Sequence, residues 1–178
     1  MAGTKSFSPS ESRPLRRHGS TGPTAMMNNI VMPIGTVSWS KNGSPTTIDD
    51  QTFDLARRKG SWVVLNFFNS TCVPCIAEHP TLVEFARGES TRADGVELYT
   101  VVNDDADAAV RDFFAANGGD WPKLRDADGA IAVAFGVAKV PETWIIDPNG
   151  FVRLRIIGQL AGGVLESQMT RLREASSS

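Results

Sequence analysis

The chain has 178 residues, 41% hydrophobic and 21% charged, which suits one globular domain with room for a tail. A formal net charge of −2 gives no electrostatic warrant for nucleic-acid binding. Two cysteines cannot build a secreted disulfide scaffold, so their number alone leaves the compartment open.

Residues 1–28 are rich in Ser, Pro, Gly and Thr, with Lys5, Arg13, Arg16 and Arg17 against the single acid Glu11. They show no apolar periodicity and are expected to form a disordered polar lead, in preference to a basic arm for a membrane surface or nucleic acid. No apolar core follows Arg16-Arg17, so the segment reads neither as a signal peptide nor as a twin-arginine signal. Ile30-Val31-Met32 is far short of a membrane span, and Met26 and Met27 leave a later start open. The folded domain is expected over residues 29–174, opening with a β extension. Ile34 to Trp39 alternates, Lys41-Asn42-Gly43-Ser44 is a turn signal, and Thr46-Thr47-Ile48 can return as a second strand. Trp39 reads as packing, not as a ligand platform.

Trp62 to Phe68 is an apolar, β-branched run, and the helical pattern Ile76, Leu82, Val83, Phe85, Ala86 lies beyond it. Between them stand both cysteines, in Thr71-Cys72-Val73-Pro74-Cys75. A strand therefore delivers the first cysteine to the mouth of a helix. Unpaired N–H groups and the positive end of the helix dipole favour a thiolate there. The geometry suits a reversible dithiol/disulfide couple in which Cys72 attacks and Cys75, one turn deeper, resolves. A structural disulfide would restrain little chain across so short a loop. A zinc site would need about four ligands, and only His18 and His79 could join the cysteines. Two inert core cysteines fit the strand-to-helix placement poorly. Glu78, three residues past Cys75, shares its helix face and can serve as the base that Cys75 needs. Pro80 should bend the helix. His79 is expected to be exposed and non-catalytic, the alternatives being a tuner of Cys75 or a copper ligand.

Gly95 ends a polar break, and Val96 to Val102 alternates as a strand. Asp105 can cap a helix over residues 106–117, with Val110, Phe113 and Phe114 on its apolar side, Asp107 paired to Arg111, and Gly118-Gly119 ending it. The run Asn103-Asp104-Asp105 lacks the spacing of an EF-hand loop, so capping is its better reading. Trp121-Pro122 marks a turn and Gly129 to Phe135 a short helix. Glu142 to Asp147 and Phe151 to Ile157 form a hairpin across Pro148-Asn149-Gly150, with Arg153 and Arg155 outward and Val152, Leu154 and Ile156 inward. Gly162 to Glu174 is an amphipathic helix with Val164, Leu165, Met169 and Leu172 toward the core, and residues 175–178 are a fraying tail. The order β-α-β-α, hairpin, α gives a mixed sheet with helices on both faces.

Several of these motifs together resemble the thioredoxin-fold oxidoreductases of the TlpA, ResA and CcmG type, over about residues 45–174. Asn66 stands six residues before Cys72, where thioredoxin has a buried aspartate and this subgroup usually has asparagine. Cys75-Ile76-Ala77-Glu78-His79-Pro80 matches the subgroup's C-x-x-E-x-P. Gly136 to Thr143 resembles the cis-proline loop, with the Pro-Glu-Thr of the cytochrome-maturation reductases. The departure is Thr71, where the family commonly has tryptophan. The resemblance implies an α/β, three-layer thioredoxin-like fold with an N-terminal β extension. It implies a thiol–disulfide oxidoreductase acting on protein cysteines as a reductant, with a thiol oxidase as the alternative and a copper chaperone or peroxidase behind it. Catalysis falls to Cys72, Cys75 and Glu78, since Asn66 cannot titrate. Substrate binding falls to Val140 and Pro141, where the cis loop leaves the Val140 backbone free for an extended peptide, with Thr71, Val73 and Pro74 beside them. No cofactor, metal or nucleic acid is implied. The expected partners are protein thiols or disulfides and an electron-donor dithiol protein, the chain being a monomer that meets a membrane only through an anchor outside this sequence. The family points to an extracytoplasmic place; the lack of a visible exporting segment leaves the cytoplasm as the alternative.

Overall fold

All six residues of strand β3 (Val63–Phe68) are buried, as a central strand covered on both faces requires. The structure, a computed structural model, describes residues 26–28, 32–33 and 45–177. β3 pairs in parallel with β4 (Glu97–Asn103), and β4 in parallel with β5 (Lys123–Asp126). On its other side β3 runs antiparallel to β6 (Glu142–Ile146), and β6 antiparallel to β7 (Phe151–Ile157). The short strands β1 (Met26–Asn28) and β2 (Met32–Pro33) add to the outer edge of β7. The sheet order is β1-β7-β6-β3-β4-β5, with β2 also on β7. This is a mixed thioredoxin-like sheet.

The period-2 alternation of β3 sorts the helices. Val63, Leu65 and Phe67 pack with Ile131 and Phe135 of α3 (Ala130–Phe135). Val64, on the opposite face, packs with Leu82 and Phe85 of α1 (Val73–Ser90) and with Leu165 and Met169 of α4 (Val164–Ser176). Phe68 continues that face, meeting Cys75 and also Val110 and Phe114 of α2 (Asp107–Asn117). The far ends of α1 and α4 are joined by Arg173, whose Nη2 lies 2.6 Å from Glu89 Oε2.

Several sequence expectations change here. Thr46-Thr47-Ile48 makes no strand: Thr46 bridges only to Thr52 and Thr47 only to Leu124, because the chain reverses at once through Asp50, at φ 61°. The segment instead covers the outer edge of β5, with Ile48 N donating to Lys123 O and Arg125 N to Thr46 O. The alternation at Ile34–Trp39 and the turn at 41–44 lie outside the described residues. So does the 1–28 lead, apart from the three residues of β1. The α2 N-cap is Ala106, with no side-chain bond, because Asp105 is engaged elsewhere. Asp107 turns from Arg111 to Arg125, at 2.6 Å, and that guanidinium holds its carboxyl below the usual carboxylate range. Arg111 reaches Asp49 and the Ile48 carbonyl instead. β5 has no counterpart in the sequence reading. The Pro148-Asn149-Gly150 turn is organised by Asp147, whose Oδ1 accepts from the N–H groups of Asn149 and Phe151. α4 runs on to Ser176, two residues beyond its expected end.

Candidate active site

The loop that leaves β3 is held from the side before it reaches the first cysteine. Asn69 Nδ2 donates to the carbonyls of Asn103 and Asp104, while Asn69 Oδ1 accepts from the N–H and hydroxyl of Thr71. Ser70 N donates to the Asp105 carboxylate, so the expected cap of α2 ties down this loop instead. Cys72 N donates back to Asn69 O at 3.1 Å. The loop is thus pre-shaped by six short-range and cross-loop bonds. These bonds set where Cys72 enters the helix.

Cys72 is the N-cap of α1, and its Sγ accepts from Cys75 N at 3.3 Å. The sulfur therefore occupies the place an Asp or Ser oxygen takes in an ordinary cap, facing unpaired N–H groups and the positive dipole end. Pro74 suits the first turn, where its missing N–H has no intrahelical partner to lose. The two cysteines are joined in a disulfide with Cα atoms 5.2 Å apart. Cys75 is fully buried, Cys72 half-buried, and Thr71 and Val73 are exposed, Val73 at 74%. Ile76, read as part of the apolar pattern, faces outward. The Val140–Pro141 peptide bond is cis, and Val140 O lies 3.8 Å from Cys72 Sγ. Pro141 itself is buried, and its carbonyl accepts from Gly158 N at 3.0 Å.

Glu78 is buried without exposure, one turn along α1 from Cys75. Its Oε1 accepts from Asn66 Nδ2 at 2.7 Å and its Oε2 from Leu160 N at 2.7 Å. Asn66 Nδ2 also reaches Thr143 Oγ1 at 3.1 Å, tying the acid to the strand that follows Pro141. Burial raises the Glu78 pKa from 4.5 to about 7, and the bonds from Leu160 and Asn66 oppose that rise without cancelling it. A carboxyl with a pKa near neutrality, one helical turn from a buried cysteine, has the proton affinity that a general base needs at neutral pH.

His79 departs from its expected exposure. It is buried among Phe113, Phe114 and Trp121, with Nε2 bonded to Gly118 O at 2.9 Å. Burial lowers its pKa from the usual histidine value, and the Gly118 bond anchors α1 to the end of α2. Sequence reasoning also missed the Leu160 amide. A backbone donor 82 positions away leaves no mark in side-chain identity. Among the described residues no cluster of His, Cys, Asp and Glu could hold a metal ion, and no helix is long and apolar enough to cross a membrane.

Comparison with known proteins agrees with this geometry. The profile of the AhpC/TSA family matches residues 40–155. The thiol:disulfide interchange protein HelX of Rhodobacter capsulatus is 32% identical over 120 residues, covering 67% of this chain and 65% of HelX, just under two thirds of that relative. The thiol-disulfide oxidoreductase ResA of Bacillus anthracis is 30% identical over 127 residues, covering 71% of this chain and 72% of ResA. Among solved structures, MTB DsbF, in its mixed oxidised and reduced forms, superposes with a TM-score of 0.67 at 26% identity. It covers 77% of this chain and 99% of DsbF.

Proposed function

The chain belongs to the AhpC/TSA family and is a thiol–disulfide oxidoreductase of protein thiols, and we propose that it works as a reductant through Cys72, Cys75 and Glu78. The observation that carries this reading is the Cys72 sulfur capping α1, where the Cys75 N–H already points at it. With the pair reduced, the Cys72 thiolate attacks one sulfur of a substrate disulfide. That bond breaks, its second sulfur leaves as a thiolate, and a mixed disulfide joins Cys72 to the substrate. Cys75 then gives its proton to Glu78, and its thiolate attacks Cys72 Sγ. The Cys72–Cys75 disulfide forms and the substrate leaves with both sulfurs reduced. Two electrons have passed to the substrate, and a donor dithiol protein returns them.

Substrate binding falls to the Val140–Pro141 loop, with Thr71, Val73 and Pro74 at its rim. The Val140 backbone beside Cys72 offers main-chain groups to an extended peptide, so protein disulfides are taken with little demand on their sequence. A reductant of this kind suits an oxidising compartment outside the cytoplasm, where disulfides persist. The direction of electron flow is tested by equilibrating Cys72 and Cys75 against glutathione buffers. A reductant gives a potential below the glutathione couple; a value above it makes the protein an oxidase.

A further inference from the structure

Glu142 follows Pro141 directly, takes no part in the exchange chemistry, and is nevertheless only 1% exposed. A carboxylate is tolerated in such a place only when paired and fully hydrogen-bonded. Its partner is Arg155 of β7, the residue that alternation assigns to the outer face. Arg155 Nε lies 2.8 Å from Oε2 and Nη2 2.9 Å from Oε1, a fork on both carboxylate oxygens. The same Nη2 donates to Gly136 O at 3.0 Å, and the guanidinium lies over Trp144, Cζ being 4.9 Å from the ring centroid.

The placement gives the pair its meaning. Gly136 is the first residue past α3, and Glu142 is the first residue of β6. One guanidinium therefore ties together both ends of the segment Gly136–Pro141, which carries Val140. We infer that the Arg155–Glu142 clamp is a positioning device for protein substrates, holding the Val140 backbone where an extended peptide can pair beside Cys72. The inference rests on the peptide-recognition reading of Val140. A small disulfide needs only the Cys72 sulfur, whereas a peptide needs a backbone edge in register. Misplacing a positioning group by about 1 Å can cost up to about a hundred-fold. Loss of the clamp therefore separates the two kinds of substrate.

The test compares insulin with hydroxyethyl disulfide on the full chain. Arg155→Met combined with Glu142→Leu removes both partners, so no buried carboxylate is left alone. The ratio of kcat/KM for insulin to that for hydroxyethyl disulfide should fall about ten-fold, carried by the insulin KM. Arg155→Lys keeps the cation but not the fork, and should lower the ratio in the same direction by less. If the double variant shows no cooperative unfolding, Arg155→Lys alone carries the comparison. An unchanged ratio, or equal losses on both substrates, overturns the clamp. Wild-type protein that reduces hydroxyethyl disulfide but not insulin would overturn the peptide-recognition reading and the clamp with it.

Discussion

Cys72→Ser should lower insulin reduction by at least about a thousand-fold, while Cys75→Ser should still attack and then stall as a mixed disulfide with its partner. The asymmetry follows from burial and capping. Cys72 is half-buried, with its sulfur at the N-terminus of α1, where thiolate is stabilised; Cys75 is sealed in the core against Phe68, Val102 and Phe114. No other cysteine exists in the chain to take over the attack. Mass-mapped alkylation of the reduced protein at neutral pH should label Cys72 first, and non-reducing gels of the Cys75→Ser protein should show the trapped partner. Preferential labelling of Cys75 would reverse the assigned order of nucleophile and resolver.

Glu78→Gln should slow decay of the mixed disulfide by about a hundred-fold near and above neutral pH, the scale of a lost general base. The direction with pH follows from the Glu78 pKa of about 7. Below that value the acid already holds its proton and cannot take another from Cys75, so resolution in the wild type quickens as pH rises through 7. The variant lacks that step and should quicken only at higher pH, as Cys75 ionises unaided. Stopped-flow decay of the mixed disulfide from pH 6 to 9 measures it, and equal profiles would return Glu78 to a packing role.

Stability carries the same signature. A carboxyl raised from 4.5 to about 7 by folding stabilises fully below 4.5 and loses that contribution as pH rises through 7, in all roughly 3 kcal/mol. Stability of Glu78→Gln relative to the wild type should therefore increase between pH 5 and pH 8, read from denaturant midpoints. His79 works in the opposite sense. Its folded pKa lies below 6.5, so its contribution is present above 6.5 and is lost as the solution is acidified. Because both proteins carry His79, the comparison isolates Glu78.

The parts of this fold that follow from local pattern are those the sequence displays. The apolar run into β3, the cysteine pair at the start of α1, the β6–β7 hairpin and the apolar faces of α2 and α4 are all short-range signals. What escapes notice is set by distant partners. β5 is four residues with three charges, and its buried Asp126 makes sense only because the amides of Ile131 and Ala132 point at it. His79 is buried by rings from residues 113, 114 and 121, which no helix periodicity of α1 encodes. Arg155 turns in toward Glu142 because β6, starting just past Pro141, sets a carboxylate within its reach. Glu78, the proposed base, could be placed one turn from Cys75 from spacing, but its hydrogen-bond partners, Asn66 and the Leu160 amide, could not. The proposed chemistry is legible because its residues lie along one helix; the groups around them, which come from elsewhere in the chain, are not.

Single-turnover reduction of insulin by the metal-free, fully reduced protein tests the central claim most directly. One insulin disulfide should open for each Cys72–Cys75 disulfide that forms, with Cys72→Ser giving none. Insulin left intact by protein whose two thiols both titrate would contradict the account.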